Sequence, residues 1–86
     1  MEFEYDPKKS RKNKEKHGID FEEAQELWND PDRVVIPAKT EDELRFAIVG
    51  IFRNKVWIGI CTIRNKRVRI ISVRRARKKE RELYES

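Results

Sequence analysis

The hydrophobic and polar positions at the N-terminus predict a short strand followed by a helix. Phe3 and Tyr5 alternate with acidic residues, which is the period of two of a strand with one covered face. The next two residues suit a helix start, because the Asp6 side chain can cap free backbone N–H groups and Pro7 fits a first turn that needs no N–H donor. This start predicts a helix over about residues 7–16, although its side chains beyond the proline are all polar.

A second helix is predicted directly after Gly18, the residue type that most easily takes the left-handed conformation that ends a helix. Asp20 and Glu23 have the spacing of a capping box, in which each side chain accepts a hydrogen bond from the other residue's backbone N–H. Apolar residues then recur at helical spacing, and Asn-Asp-Pro at 29–31 ends the helix. The apolar face of this helix carries Phe21, Ala24, Leu27 and Trp28.

From residue 33 the apolar period changes to two and predicts a sheet. The connections near residues 53–54 and 65–66 are short enough for antiparallel hairpins, so the long strands should follow one another as a meander. We predict strands over 34–36, 44–52, 55–63 and 66–73, with residues 37–43 as a connection.

The same alternation divides the side chains of the long strands between two faces. We expect one apolar face for the helices to cover, and one mixed face that combines arginines with an aromatic residue and a glycine. A glycine inside a strand lets a base, a phosphate or another backbone approach closely, or marks a bulge. The predicted apolar face carries Leu44, Phe46, Ile48, Val56, Ile58, Ile60, Val68 and Ile70. The predicted mixed face carries Arg45, Ala47, Val49, Trp57, Gly59, Cys61, Arg67, Arg69 and Ile71.

Residues from Arg74 onward predict a last helix, with Ala76, Glu80, Leu83 and Tyr84 on one stripe and basic residues around the rest. The sequence contains no internal repeat, linker or second domain. Residues 1–86 are therefore expected to form one small α+β domain, an antiparallel meander with two N-terminal helices and one C-terminal helix.

Charge changes this picture, because it is distributed unevenly along the chain. Residues 1–43 carry 8 Lys and Arg against 13 Asp and Glu, a net charge of −5, whereas residues 44–86 carry 13 against 3, a net charge of +10. A dense basic segment, much of it arginine, favours phosphate recognition, because the guanidinium group binds phosphate through two parallel hydrogen bonds. The alternatives are a solvated surface and an ion-pair network with the acidic first part.

Composition excludes several classes of protein. Cys61 is the single cysteine, which excludes an internal disulfide and suits a reducing compartment, and we interpret it as a small buried apolar residue. No apolar run approaches the roughly 18 residues needed to span a bilayer. We therefore expect a soluble, cytoplasmic protein without a membrane partner.

The basic residues and the single histidine could support metal-independent cleavage of RNA, although composition alone does not indicate that activity. Such cleavage needs a base for the 2′-hydroxyl, cations for the charge on the phosphorane and an acid for the leaving oxygen. His17 is the first candidate for proton transfer, and its alternative role is to stabilise the C-terminus of the first helix. Metal catalysis gathers two or three carboxylates, which the basic half lacks outside its last helix, so no metal or other cofactor is predicted.

Other candidates also have structural alternatives. Arg45, Arg64, Arg69 and Arg74 could bind phosphate or could pair with the carboxylates at 41–43. Tyr84 could transfer a proton or stack on a base, or could anchor the last helix to the sheet. Trp57 could be a stacking platform for a base.

Several segments together resemble the BrnT family of toxins. They are residues 16–24 (KHGIDFEEA), residues 43–46 (ELRF) with Gly50 after them, residues 69–76 (RIISVRRA) and residues 80–85 (ERELYE). Asp6-Pro7 and Asn13 also match, so the resemblance extends over nearly the whole chain in the same order.

The resemblance implies a RelE-like fold and the toxin of a type II toxin-antitoxin module, a ribonuclease that stops translation by cutting RNA, free or on the ribosome. It implies a BrnA-type antitoxin partner, two toxins and two antitoxins in the assembly, and DNA contacts through the antitoxin. The predicted catalytic residues are His17, Arg45, Arg64, Arg74 and Tyr84. The predicted RNA-binding residues are Lys16, Trp57, Arg67, Arg69, Arg75 and Arg77.

Two functions of other classes compete with this interpretation. A non-catalytic module could bind nucleic acid through the same basic face, and an interaction protein could bind an acidic partner there. New RNA ends after incubation would identify an enzyme, whereas a reversible shift without new ends would identify a binding module.

Overall fold

A computed structural model describes residues 1–39 and 42–86. Within that part of the chain, no helix is both long enough and apolar enough to cross a bilayer. Its elements are β1 (Phe3–Glu4), α1 (Pro7–His17), a 3-10 helix (Glu23–Gln25), α2 (Glu26–Asn29), β2 (Val34–Lys39), β3 (Leu44–Phe52), β4 (Lys55–Arg64), β5 (Arg67–Arg75) and α3 (Lys78–Glu85).

The sheet has five strands in the order β1-β5-β4-β3-β2. Strands β3 to β5 form the predicted antiparallel meander, and both predicted two-residue hairpin turns are confirmed. Strand β2 pairs antiparallel with β3 and extends to Lys39, so the predicted connection over 37–43 was wrong for residues 37–39. The prediction of a purely antiparallel sheet was wrong, however, because β1 pairs in parallel with β5. The whole domain separates these two strands in sequence, so no tight turn fixes their relative direction.

The predicted start and end of the first helix are confirmed. The Asp6 carboxylate accepts a hydrogen bond from the Lys8 N–H at 2.9 Å, and Gly18 ends α1 with a φ of 82°. The Asp20–Glu23 capping box also forms, with N···O distances of 2.8 and 3.0 Å. The helix predicted after it is shorter than expected, since only a 3-10 turn and one α-helical turn follow.

Two glycines explain how this short helical segment lies so close to the sheet. A Cβ atom at Gly50 would lie 3.0 Å from the Leu27 carbonyl oxygen, and one at Gly59 would lie 3.0 Å from the Trp28 ring. The absence of side chains at these positions therefore lets the segment press its apolar residues into the core. Gly59 makes room for a core tryptophan, and not for a base or phosphate.

The predicted division of side chains between the two faces of the sheet was wrong. The turn at 53–54 pairs Ile48 with Gly59 and Phe46 with Cys61, so β3 and β4 combine in the opposite phase to the predicted one. One face packs under the 3-10 helix and α2 with Trp57 and Cys61 in its core. The other face carries Ala47, Val49 and Ile58 and packs against Tyr84 of α3.

The boundary between the last strand and the last helix also differs from the prediction. Arg74 and Arg75 belong to β5, where they pair with Ile58 and Trp57 of β4. The Ala76 N–H then donates to the Val56 carbonyl at 3.0 Å, and α3 begins only at Lys78. Because pairing with β4 holds residues 74–76, only the later part of the predicted stripe, which includes Leu83 and Tyr84, lies on a helix.

The strands β1 and β2 pair with only part of β5 and β3, and polar side chains bind backbone groups of the parts that they leave unpaired. On the β5 side, Asn13 donates to the Val73 carbonyl and accepts from the Val73 N–H, at 2.9 and 3.2 Å. Its amide also donates to the Ile19 carbonyl at 2.8 Å. On the β3 side, Asp30 accepts from the Ile51 N–H at 2.9 Å. Each side chain therefore joins a helical segment to a strand edge.

Candidate functional site

Three adjoining hollows form a basic surface where α1 lies along β5. We name them the arginine hollow, the central hollow and the tryptophan hollow, with volumes of about 250, 230 and 320 Å³. The arginine and central hollows share Lys9 and Ile71, and the central and tryptophan hollows share His17. They therefore form one continuous band, which we call the basic band.

Strand register builds the arginine hollow. Arg45 of β3 pairs with Thr62 of β4, which pairs with Arg69 of β5, so one arginine lies on each side of this threonine. Arg64 lies two residues from Thr62 on the same strand and therefore on the same face. Its lining residues are Lys9, Glu43, Arg45, Thr62, Arg64, Arg69 and Ile71.

Ion pairs hold each guanidinium of the arginine hollow. Glu43 bridges two of them, with one oxygen 3.4 Å from Arg45 and the other 3.5 Å from Arg64. Arg69 pairs with Glu4 of β1 at 2.9 Å. These arginines therefore form ion pairs, which was the structural alternative to phosphate binding. Glu43 was a predicted partner, whereas Glu4 was not. Glu41, another predicted partner, lies outside the described residues.

The central hollow lies on the lysine face of α1. Lys9, Lys12 and Lys16 recur at helical spacing on this face, and His17 closes the hollow at the end of the helix. The three lysines are exposed, whereas His17 is half-buried. Because α1 carries its cations to β5, the acidic and basic halves of the sequence do not form separate regions of the surface.

The tryptophan hollow places His17 opposite cations from β4 and β5. It is lined by His17, Gly18, Phe52, Arg53, Lys55, Trp57 and Arg75. Trp57 is only 7% exposed, its indole N–H donates to the Phe52 carbonyl at 3.1 Å, and the Arg75 guanidinium lies 5.4 Å from its ring centre. The indole is therefore already covered by Arg75, and it does not offer the open stacking face expected from the sequence.

The remaining predicted site residues do not line these three hollows. Arg67 pairs with Glu2 at 3.2 Å near the β4–β5 turn, and Arg77 immediately precedes α3. Arg74 makes two 2.9 Å hydrogen bonds to Glu80. These bonds lower the pKa of Glu80 and raise the pKa of Arg74. Arg74 therefore fastens α3 to β5.

Tyr84 anchors the last helix, which is the structural alternative that the sequence left open. Its hydroxyl donates to Asp30, and this bond raises the pKa of Tyr84 to about 12. Burial tends to raise the pKa of Asp30, but the hydrogen bonds from Tyr84, Asp32 and Ile51 outweigh it and the net shift is downward. A phenol held in this way is a poor proton donor at neutral pH.

Replacing Tyr84 by Phe should lower the free energy of unfolding at pH 7 by about 1.5 kcal/mol, since the charged Asp30 loses a donor. Because this hydrogen bond raises the pKa of Tyr84, its stabilising effect is complete below the pKa of about 10 that tyrosine has in the unfolded chain. The effect is lost as the pH rises toward the pKa of Tyr84 in the folded protein. The difference between variant and wild type should therefore shrink from pH 9 to pH 11 in urea unfolding. Tyr5→Phe is the control and should stay within about 0.5 kcal/mol. A difference that grows over this range would contradict the assignment.

The acidic side chains of the described residues are not arranged for metal binding. Within residues 1–39 and 42–86, no group of three or more His, Cys, Asp or Glu side chains could hold a metal ion. Glu43 is the one carboxylate among the described residues that line the basic band. Cys61 is buried, and this burial raises the pKa of its thiol to about 11.

Four cations of the basic band were not singled out from the sequence: Lys9, Lys12, Arg53 and Lys55. The two lysines had a visible signal, because with Lys16 they form a basic stripe at helical spacing on a helix without apolar residues. Arg53 and Lys55 had none, because only the pairing of the 53–54 hairpin brings them beside His17.

Comparison with known proteins identifies the family of this chain. No curated protein matches the chain. The model of a family described as the ribonuclease toxin BrnT of type II toxin-antitoxin systems matches residues 5–80, a stretch that contains all the lining residues of the basic band. The chain therefore belongs to the BrnT family of ribonuclease toxins.

Proposed function

We propose that this chain cuts RNA on the basic band without a metal ion and thereby inhibits translation. The observation that carries the proposal is the place of the only histidine. His17 lies where the central and tryptophan hollows meet, with cations on both sides. A phosphodiester bound along the band would therefore pass a proton-transfer group and several positive charges together.

The proposed reaction is an attack of the 2′-oxygen on the neighbouring phosphorus. The bond from phosphorus to the 2′-oxygen forms and the bond to the 5′-oxygen breaks, which leaves a 2′,3′-cyclic phosphate and a 5′-hydroxyl. One group accepts the proton of the 2′-hydroxyl and another gives a proton to the leaving oxygen. His17 is one of these groups, and an amine among Lys12, Lys16 and Lys55 supplies the other.

The cations of the band perform two tasks in this proposal. Arg53, Lys55 and Arg75 neutralise the charge that accumulates on the phosphorane near His17. The arginine hollow at the other end holds a phosphate of the same strand and so sets its direction across the band. Arg74 and Tyr84 act indirectly in this scheme, since they hold α3.

Membership of a type II family implies an RNA substrate and a protein antitoxin. We further propose a cytoplasmic complex of two toxins with two BrnA-type antitoxins, in which DNA is contacted through the antitoxin. The charge of the band supports an antitoxin that covers it, because a partner that neutralises the chain must compete with a polyanion for a cationic surface.

Chelation tests the metal-free reaction. The purified chain should produce new RNA ends at the same rate, within about twofold, in excess chelator and in magnesium, because side-chain cations take the place of the metal. The ends are mapped on gels with single-stranded and ribosome-bound RNA. Loss of cutting in chelator and recovery in magnesium would refute this mechanism, and a reversible mobility shift without new ends would identify the non-catalytic module instead.

A further inference from the structure

We propose that Glu43 occupies a phosphate-binding subsite in the arginine hollow and competes there with RNA. The inference rests on the proposed function, since it assumes that the basic band binds RNA. Its first support is the bridging geometry: the two carboxylate oxygens of Glu43 contact two different arginines, Arg45 at 3.4 Å and Arg64 at 3.5 Å. Two non-bridging oxygens of one phosphate can make the same pair of contacts.

The second support is the looseness of these two contacts. Both exceed the 2.7–2.9 Å typical of hydrogen bonds between charged groups. The Arg74–Glu80 pair provides the comparison, with two bonds of 2.9 Å between less exposed side chains. Arg45 and Arg64 have side chains 39% and 52% exposed. Glu43 therefore holds the guanidiniums weakly and in contact with solvent, where an incoming anion can reach them.

The third support is the crowding of like charges. Strand pairing brings Arg45, Arg64 and Arg69 around Thr62, and Lys9 lines the same hollow. Adjacent like charges on a sheet repel one another, so the empty hollow needs a counter-charge. Glu4 neutralises Arg69, whereas Glu43 supplies the counter-charge of Arg45 and Arg64 in the free protein and an RNA phosphate supplies it in the complex. The carboxylate thus keeps the subsite formed and lowers its affinity for RNA.

The test measures binding of a 2′-O-methyl RNA oligonucleotide, which lacks the attacking hydroxyl and cannot be cut. Glu43→Gln should bind it about fivefold more tightly than wild type, the effect of removing one unit charge about 4 Å from a phosphate in water. Glu26→Gln is the matched control, because it changes the net charge equally from an exposed position on α2 outside the basic band. Its affinity should stay within about twofold of wild type, since salt screens a distant charge.

A second comparison separates competition at the subsite from a general charge effect. In an Arg45→Ala/Arg64→Ala background, Glu43→Gln should gain less than about twofold, because the guanidiniums that it releases are absent. An equal gain in both backgrounds would overturn the inference, as would equal affinities of Glu43→Gln and Glu26→Gln. Wild-type protein that failed to bind the oligonucleotide at all would instead refute the proposed function.

Discussion

Replacing His17 by Ala is expected to slow RNA cleavage by about 100-fold or more, the usual contribution of a positioned proton-transfer group. His17 is the residue shared by the central and tryptophan hollows, and it is half-buried at the end of α1. The affinity for a non-cleavable oligonucleotide should change by less than about threefold, because the cations around the histidine remain. Single-turnover cleavage and oligonucleotide binding measure the two effects separately.

Two controls make this prediction specific. Arg11→Ala removes a cation from an exposed position of α1 outside the three hollows, and cleavage should stay within about threefold of wild type. Free imidazole should partly restore cleavage by His17→Ala, since it can enter the space left by the side chain and transfer the proton. A purely structural histidine would respond differently: the variant would unfold at lower urea concentration and imidazole would restore nothing.

Replacing Asn13 by Ala is expected to lower the free energy of unfolding by about 3 kcal/mol. Asn13 is 8% exposed, and its side chain makes three hydrogen bonds to backbone groups, two to Val73 and one to Ile19. Alanine would leave one N–H and two carbonyls without partners in a dry environment, and each such group is costly. This loss is a large part of the total stability of a domain of 86 residues.

Urea unfolding of Asn13→Ala at pH 7 measures the loss directly. Asn29→Ala is the control, because Asn29 is exposed at the end of α2, and its effect should stay within about 0.5 kcal/mol. A loss below about 1 kcal/mol for Asn13→Ala would mean that water replaces the amide at the edge of β5. The same edge lines the central hollow, so the variant should also lose RNA cleavage at temperatures where it is still folded.

The basic band was only partly predictable. Arg45, Arg64, Arg69 and Lys16 were singled out by charge, and His17 by its chemistry, and all of them line the band. Arg74 was grouped with them for the same reason. In the structure Arg74 is bound twice by Glu80, because β5 continues further than predicted and brings the two side chains together. Charge alone did not distinguish an arginine for ligand binding from one that holds a helix.

The faces of the sheet illustrate a different limit. Period-two alternation correctly located β3, β4 and β5, but it did not determine which face of one strand joins which face of the next. Both faces of β3 and β4 are largely apolar, so either phase satisfies the pattern. The two-residue turn at 53–54 and a bulge between Ile60 and Cys61 decide the phase. They place Trp57 in the core under the 3-10 helix and α2, and Arg75 over its ring.

Local chemistry in the sequence by itself determined the strands of the meander, the capped start of α1, its end at Gly18 and the presence of one histidine among many cations. These features depend on neighbouring residues, for which propensity, capping and alternation are sufficient. Only the tertiary structure decided the parallel pairing of β1, the phase of the strands and the shared hollows that join α1 to β5. These depend on contacts between residues far apart in the chain, and several arrangements of the same local elements bury comparable apolar area.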